Sequence, residues 1–424
     1  MRRRLIELGK DVLIVLLALA IVWLLVLALP AQTVANTPWL AALVRPFAPW
    51  LGFSQTELLD TPLADTANVT GAAQPIAISV RNPAGRTSFQ YDFDTLDAAF
   101  EQFGAALGQT LESAEAPSPV SESALQAALG KTSVAFCYPG EVSAALVSSW
   151  LHVQTALTQR AQWFILAAQE ERVILYLVSD EIYASQTQLE AETLEQLLQS
   201  CTPDGSIFAF EDTGGYYDAV EPLCLLPAQT PQLQAAQAAN PCEARFSDAL
   251  AASLGFNPYG DSRYTDDSGT TTYTETGYAL SISAAGLLQL RADPQSVRFQ
   301  AASDSEAELV ECARALLGTM SSGASGDARL YLTELTQEGT ETVCSFDYCL
   351  NAIPVTLPGG HAAQVRFSGT SVVQAQLLLR TYTLDAQTLS LLPSAQAAAI
   401  VPAGSALRLV YSDSFSGISA GWQS

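Results

Sequence analysis

The most continuous hydrophobic segment of the chain lies near its N-terminus. From Val12 to Leu29 every residue is apolar. As a helix this run would extend about 27 Å at roughly 1.5 Å per residue, close to the ~30 Å hydrocarbon core of a bilayer. The pattern predicts a transmembrane helix over residues 12–30. A cleaved signal peptide, cut near Ala31 or Ala35, is the alternative, but hydrophobic regions of signal peptides are usually shorter.

The charges that flank this run predict its orientation. Basic residues precede it at Arg2, Arg3, Arg4 and Lys10, and the next basic residue is Arg45. Basic flanks stay on the cytoplasmic side. We therefore expect residues 1–11 in the cytoplasm, one helix in the cell membrane as the contact with the bilayer, and the rest outside the cytoplasm.

Composition divides the external part into segments. Residues 31–72, rich in Ala, Pro and Thr, are predicted to form a stalk. A first extracytoplasmic domain is expected at 73–226 and a second at 242–424. Between them, residues 227–241 are mostly Ala, Gln and Pro without charge, which is typical of a linker.

Periodicity predicts the elements of the first domain. Two strands at 76–80 and 87–91 flank a turn, and a helix follows with Asp94 as its predicted N-cap. Its apolar residues recur every three or four positions, at Leu96, Phe100, Phe103, Leu107 and Leu111. Further strands are predicted at 134–138, 163–167, 173–178 and 207–210, and a helix at 190–198.

The second domain shows strands in blocks separated by single helices. Strand alternation runs through 278–290, and capping-box pairs Ser303/Glu306 and Ser305/Glu308 predict a helix that stops at Gly318. The remaining predicted elements are a helix at 246–254, strands at 328–335, 343–350, 363–367, 372–382 and 407–411, and a helix at 394–400. This order predicts an α+β fold with antiparallel sheets and a few packed helices.

Charge and cysteine usage exclude several classes of protein. The chain has 43 acidic and 19 basic residues, a net charge of −24. Such a surface repels nucleic acid, so no nucleic-acid partner is expected. The seven cysteines have no CxxC spacing, which argues against a zinc site or a disulfide framework. One or two isolated disulfides remain open, and most of the cysteines are expected to be buried thiols.

Groups that could catalyse a reaction are scarce. The chain has only two histidines, His152 in an apolar stretch and His361 in a predicted hairpin loop. Gly417–Gly421 matches the GxSxG motif, but no acid and histidine follow it as the hydrolase order requires. We therefore expect that the chain is not an enzyme, has no catalytic residues and binds no cofactor.

Acidic motifs also have simpler interpretations. Asp212-Thr-Gly214 resembles half of an aspartic-protease signature, without the second copy. Four acidic residues could be proposed as a calcium site, but their spacing differs from an EF-hand and suits hairpin turns: Asp261, Asp266, Asp267 and Glu275. No metal site is predicted.

Short motifs follow one another in a definite order along residues 246–424. They are Leu254–Tyr259 with Arg263-Tyr264, Gly269–Tyr273, Tyr278–Ile282 with Gly286–Leu288, Phe346–Asn351 with Ile353–Val355, Leu391–Ala397, and Leu407–Asp413 before Trp422. In the order and spacing of these motifs, and in the single predicted N-terminal helix, the chain resembles the YycH/YycI (WalH/WalI) family.

The resemblance implies a function. Members of this family are membrane-anchored regulators of a Gram-positive two-component sensor kinase that controls cell-wall metabolism. It implies a sensor histidine kinase and a paralogous regulator as membrane partners, contacted in part through the transmembrane helix, where Ala18 and Trp23 are the candidate contact residues. The alternative is an extracytoplasmic module that binds a cell-envelope ligand on aromatic platforms drawn from Tyr216, Tyr217, Tyr259 and Tyr264.

Overall fold

The N-terminal part of the fold is built on a seven-stranded sheet. The computed structural model describes residues 74–242, 244–260, 262–321 and 324–424. The strands of this sheet run antiparallel in the order β2-β1-β4-β5-β6-β7-β3. In chain order they are β1 (Ala77–Asn82), β2 (Gly85–Gln90), β3 (Ser118–Pro119), β4 (Ser133–Ser143), β5 (Arg160–Gln169), β6 (Arg172–Val178) and β7 (Ile182–Glu190).

Four helices accompany this sheet: α1 (Phe93–Ser113), α2 (Glu122–Leu129), α3 (Ala144–Trp150) and α4 (Ala191–Leu198). The N-cap of helix α1 lies two residues before the predicted one, because Asp92 rather than Asp94 accepts the Thr95 N–H at 3.1 Å. Phe93 is thereby included in the buried stripe of the helix. The cap and the first buried side chain together set the start of α1.

Both faces of the seven-stranded sheet are packed. On one face the ring of Phe100 from α1 meets Phe136 of β4 edge-on, with ring centroids 6.1 Å apart. On the other face a buried cluster joins α2 to the sheet through Leu125, Leu129 and Ile165. Phe208, just before the 3₁₀ turn Ala209–Glu211, closes the same cluster.

The C-terminal part contains an eleven-stranded sheet with the order β11-β12-β13-β14-β19-β18-β16-β17-β21-β22, in which β15 also pairs with β16. All pairs are antiparallel except β17 with β21. The strands are β11 (Arg263–Thr265), β12 (Thr271–Glu275), β13 (Tyr278–Ile282), β14 (Leu287–Ala292), β15 (Ala328–Glu338), β16 (Glu341–Leu350), β17 (Ile353–Thr356), β18 (Ala363–Ser368), β19 (Ser371–Leu378), β21 (Arg408–Asp413) and β22 (Ile418–Gln423). Two small pairs lie beside it: β8 (Ile207–Phe208) with β9 (Leu225–Leu226), and β10 (Leu233–Ala239) with β20 (Thr381–Leu389).

Three helices belong to this part: α5 (Ala244–Ser253), α6 (Glu306–Ser321) and α7 (Ser394–Ala398). The Glu308 N–H donates to Ser305 Oγ at 3.4 Å, in agreement with one predicted capping box. The predicted stop at Gly318 is wrong, because α6 continues to Ser321. A glycine inside a helix costs only about 1 kcal/mol, and the buried residues Met320 and Ser321 extend the packed stripe past it.

The two sheets meet directly. Arg329 of β15 binds Asp97 of α1 through two hydrogen bonds of 3.0 and 2.8 Å. The Trp150 indole N–H of α3 donates to Glu311 of α6 at 2.7 Å. The described residues from 74 to 424 belong to one compact unit. Within the segment 227–241, expected to be a linker, β10 pairs with β20.

The fold class of the described residues is therefore mixed α+β with mostly antiparallel sheets and few helices, as the sequence predicts. No helix among these residues is both long enough and apolar enough to cross a membrane. The predicted transmembrane helix at 12–30, with Ala18 and Trp23, lies outside them, as do residues 1–11 and the stalk at 31–72.

Candidate docking groove at the C-terminal strand

A shallow groove lies between α7 and the last strand, β22. Its volume is about 260 Å³, and none of the residues that line it carries a charge. The apolar lining residues are Leu391, Leu392, Ala397, Ile400, Val401 and Trp422. The groove is thus an uncharged surface on a chain with a net charge of −24.

The rim of the groove exposes large apolar side chains. Ile400 is 76% exposed and Leu392 is 52% exposed. The helix between them is only five residues long, so these two side chains flank it and do not reach the core. Apolar side chains exposed next to one another are typical of a surface that binds a partner.

The base of the groove is firmly held. The Trp422 indole N–H donates to the Leu392 carbonyl at 2.8 Å, which ties β22 to the segment before α7. Beneath α7 a buried cluster joins Ala397 and Ala398 to Val220 and Leu226. The groove is thus presented on a packed support, which lowers the entropy cost of ordering it on binding.

The strand beside the groove lies at an end of the sheet order. Strand β22 pairs with β21 from Ile418 to Gln423, and among the described strands it pairs with no other. Strand edges have backbone groups that a further strand could pair with. The GxSxG match at Gly417–Gly421 falls on β22 and its preceding turn, so Ser419 lies on an extended strand and not on a strand-to-helix elbow.

The four candidate tyrosines do not gather in one place. Tyr217 reaches the base of the groove, where its hydroxyl lies 2.8 Å from Ser394 Oγ. Tyr216 is 67% exposed in the same loop. Tyr264 is on β11, and Tyr259 lies in the turn before it, at the opposite end of the sheet order from β22. The four tyrosines therefore do not share one platform, because β11 and β22 lie at opposite ends of the sheet order.

A row of polar side chains crosses the large sheet. Its members, which we call the polar row, occupy paired positions on six neighbouring strands: Tyr264, Thr272, Ser281, Gln289, Gln376 and Gln364. Gln376 Nε2 donates to Gln364 Oε1 at 3.2 Å. Neighbouring positions such as Val365 and Ala375 are buried, so by strand alternation the polar row lies on the other face of the sheet.

His361 has two carboxylate neighbours. Its Nδ1 lies 2.8 Å from Asp347 Oδ2 and its Nε2 lies 3.3 Å from Glu334 Oε2. The Thr333 hydroxyl donates to the same Asp347 oxygen at 2.8 Å. Its proton is therefore directed at the carboxylate and not at the imidazole, so this is not the arrangement of a nucleophile activated by His361. The cluster links β15, β16 and the segment before β18. Sequence reasoning placed His361 near a hairpin but could not find these partners.

His152 lies two residues beyond the last residue of helix α3. It has a positive φ of 57° and is exposed. Its N–H bonds to the Ser149 carbonyl at 3.1 Å, and the Val153 N–H bonds to the Ser148 carbonyl at 3.0 Å. These two bonds are those of a Schellman motif, with His152 at the left-handed position that glycine usually occupies. The role of His152 in the fold is structural.

The acidic motifs serve turns and an ion pair. Asp212 accepts backbone N–H groups of Gly214 at 3.0 Å and Tyr216 at 2.6 Å, and these bonds lower its pKa. Hydrogen bonds from Ser268 and Thr270 lower the pKa of Asp266 in the same way. The hydrogen bond from Arg298 lowers the pKa of Glu275. Asp261 lies outside the described residues, and among those described no three His, Cys, Asp or Glu side chains could hold a metal ion.

All seven cysteines are free thiols. Burial raises the pKa of Cys137 and of Cys344 to about 12, and of Cys224 to about 11. Because the thiolate is the nucleophile, these groups are unreactive near neutral pH. The sequence predicts that most of the cysteines are buried thiols, whereas three are buried, Cys137, Cys344 and Cys349, and the other four are half-buried.

Comparisons with protein-family models, with curated proteins and with solved structures found no match to this chain.

Proposed function

We propose that this chain is a membrane-anchored extracytoplasmic regulatory protein of the YycH/YycI type. In this proposal it associates with a two-component sensor histidine kinase that controls cell-wall metabolism, alongside a paralogous regulator, and modulates the kinase. The observation that carries the proposal is the uncharged groove between α7 and β22. Three residues of the Leu391–Ala397 motif, Leu391, Leu392 and Ala397, line it, as does Trp422, and the family resemblance rests in part on this motif and on Trp422.

Two contacts would act together. The segment 12–30 would anchor the chain and pack on a kinase helix through Ala18 and Trp23. The groove would contact the extracytoplasmic part of the kinase through Leu392 and Ile400, which are 52% and 76% exposed. Because the lining is uncharged, closing this contact removes no charge from water, so its free energy follows from apolar burial.

The same proposal holds that the chain is not an enzyme and needs no cofactor. Side chains of types that could act in catalysis have structural roles here, and this supports that part of the proposal. His361 is held between Asp347 and Glu334, and Asp212 caps its own loop. Burial keeps the thiols protonated by raising the pKa of Cys137 and Cys344 to about 12.

Co-purification from membranes tests the docking contact. The full-length chain and Ile400→Glu would be recovered from solubilised membranes of the native cell, and the bound kinase quantified. Burying a carboxylate in an apolar contact is strongly unfavourable, so we expect at least a tenfold loss of kinase with Ile400→Glu. Val297→Glu is the matched control, because Val297 is an exposed apolar residue (77%) that does not line the groove.

Three results would contradict the proposal. The wild-type chain could recover no kinase, the two variants could retain kinase equally, or deletion of the gene could leave kinase phosphorylation unchanged. Thermal unfolding of each variant shows whether a loss reflects misfolding.

The polar row favours a second candidate function, an extracytoplasmic module that binds a cell-envelope glycan without kinase contact. Amide and hydroxyl groups of Gln289, Gln364 and Gln376 could bond sugar hydroxyls, and Tyr264, 58% exposed, offers an aromatic face at the end of the row. A pull-down with purified cell-wall glycan distinguishes the candidates. The double variant Gln289→Ala/Gln376→Ala should then lose the glycan, whereas Ile400→Glu should retain it.

A further inference from the structure

A second, larger cavity lies in the N-terminal part of the fold, away from the groove. Its volume is about 450 Å³, within the roughly 300–1,000 Å³ of ligand pockets. It lies between α2 on one side and strands β6 and β7 on the other, with Ser118 and Val120 at one end. No step of the proposed kinase regulation uses this space.

The cavity exists because α2 is short and small residues face it. Only Leu125, Ala128 and Leu129 of this helix are buried against the sheet. Ala124 and Ala127 line the cavity wall, and Ile174 and Ala184 on the strands remain only partly buried. The floor is therefore apolar, and no large side chain fills the space above it.

The charge at this cavity has the opposite sign to that of the whole chain. Lys131 follows α2 and is the only charged residue among the described residues that line the cavity. The chain has just two lysines, Lys10 and Lys131, against 43 acidic residues. None of the ion pairs formed within the described parts of the chain includes Lys131. The cation at the cavity is thus available to a ligand.

Neutral polar groups complete the lining. The Gln169 amide donates to the Tyr176 hydroxyl, and burial raises the pKa of Tyr176, so the phenol stays neutral. Gln186 of β7 also lines the cavity and is exposed. These groups can bond further oxygens of a head group without adding negative charge.

We propose that this cavity binds a small amphipathic anion. The head group, a carboxylate or a phosphate monoester, would pair with Lys131, and a short apolar chain would lie along Ala124, Ala127 and Ile174. An ammonium group and an apolar floor recognise these two parts separately, which excludes uncharged detergents and fully polar anions as good ligands. The inference does not depend on the proposed kinase contact.

Acylation footprinting of the two lysines tests the proposal. The full chain, in nanodiscs of zwitterionic lipid, would be treated with an acetylating reagent, and the modification rates of Lys131 and Lys10 measured by mass spectrometry. Octanoate and octyl phosphate are the probes, and octyl glucoside is the uncharged control. We expect either anion, at millimolar concentration, to slow acetylation of Lys131 at least fivefold and to leave Lys10 unchanged.

The probes also distinguish sources of the ligand. Protection by octanoate alone would assign a carboxylate, and protection by octyl phosphate alone a phosphate. Protection without any soluble probe, in nanodiscs of anionic lipid only, would assign the head group to the membrane.

A pair of alanine variants ties protection to the cavity. Ala127→Leu places a larger side chain in the lining on an exposed helix position, where folding tolerates it, and should abolish protection of Lys131. Ala105→Leu, also exposed on a helix but outside the lining, should retain it. The proposal is overturned if no anion protects Lys131, if Lys10 is protected equally, if octyl glucoside protects as well, or if Ala127→Leu binds like the wild type.

Discussion

The two sheets of this protein differ in how they meet water. In the seven-stranded sheet, β5 is buried without interruption from Phe164 to Ala168, because helices or loops pack on both faces. In the eleven-stranded sheet, β18 alternates between buried and half-exposed residues. Its buried face packs against α6, and its other face carries the polar row.

This difference suits the two parts to different ligands. A sheet covered on both faces can offer only the gaps that its covering elements leave, such as the Lys131 cavity beside the short helix α2. A sheet open on one face and at its edges offers broad surfaces, such as the polar row and the groove at β22. The first arrangement favours a small molecule and the second a macromolecule.

The largest expected loss of stability comes from breaking a buried ion pair. Each of the two parts of the fold contains such a pair. Arg86, only 1% exposed in its side chain, binds Glu211 through hydrogen bonds of 2.9 and 2.7 Å. Arg380 binds Asp413, whose side chain is 0% exposed, at 2.9 and 3.0 Å. Glu211→Ala and Asp413→Ala each leave a buried guanidinium without its counter-charge, at an expected cost of about 3–5 kcal/mol in the free energy of unfolding.

Urea denaturation measures these costs, and an exposed pair provides the control. Glu338, 54% exposed in its side chain, binds Arg366 at 2.6 Å, and Glu338→Ala should cost less than about 1 kcal/mol. If the two parts unfold separately, each buried-pair variant shifts one transition only. A single transition shifted by both variants would show that the sheets unfold together. Losses below 1 kcal/mol would contradict the assigned role of the pairs.

The second largest expected loss of stability comes from disturbing the contact between the two sheets. A Cβ atom on Gly140 of β4 would lie 1.8 Å from the Thr333 carbonyl oxygen of β15. The oxygen belongs to the backbone and cannot rotate away as a side chain could, so Gly140→Ala must separate the strands, at a cost of about 1–3 kcal/mol. Gly318→Ala is the control, since a Cβ there meets no atom within 4 Å and alanine favours a helix by about 1 kcal/mol. Equal stabilities of the two variants in thermal unfolding would refute this contact.

The smallest expected effect is a pH-dependent loss of stability in one turn of each part of the fold. Hydrogen bonds to the carboxylates lower the pKa of Asp212 and of Asp266, so folding favours their ionised forms. This stabilisation is complete above the unfolded pKa of about 4 and is lost as the pH falls through the lower, folded pKa. Amide exchange at Tyr216 and Thr270, corrected for intrinsic rates, should therefore accelerate below about pH 4. The Leu177 amide, in the core strand β6, should not change over that range, and parallel acceleration there would indicate global unfolding instead.

Local patterns predicted the regular elements well. The hairpin of β1 and β2, helix α1 and helix α6 follow from turn residues, apolar periodicity and capping residues close in sequence. Strand β7, helix α3 and strand β22 were not predicted. Strand β7 is polar at Ser185, Gln186 and Thr187, and its burial depends on neighbours β6 and α1 that the strand's own sequence does not reveal.

The candidate sites were less predictable for the same reason. The motif Leu391–Ala397 is visible in the sequence, but nothing in it shows that Trp422, thirty residues from Leu392, donates to that residue's carbonyl. Lys131 could be singled out in the sequence as one of two lysines, yet its cavity requires β6 and β7 to lie opposite α2.

The sequence by itself determined the α+β class, the positions of most helices and strands, and the acidic charge, because these depend on composition and on residues a few positions apart. The tertiary structure alone decided that β10 joins β20, that His361 meets Asp347 and Glu334, and that the two sheets touch at Gly140. These features depend on strand order and register, which are set by the packing of segments far apart in the chain.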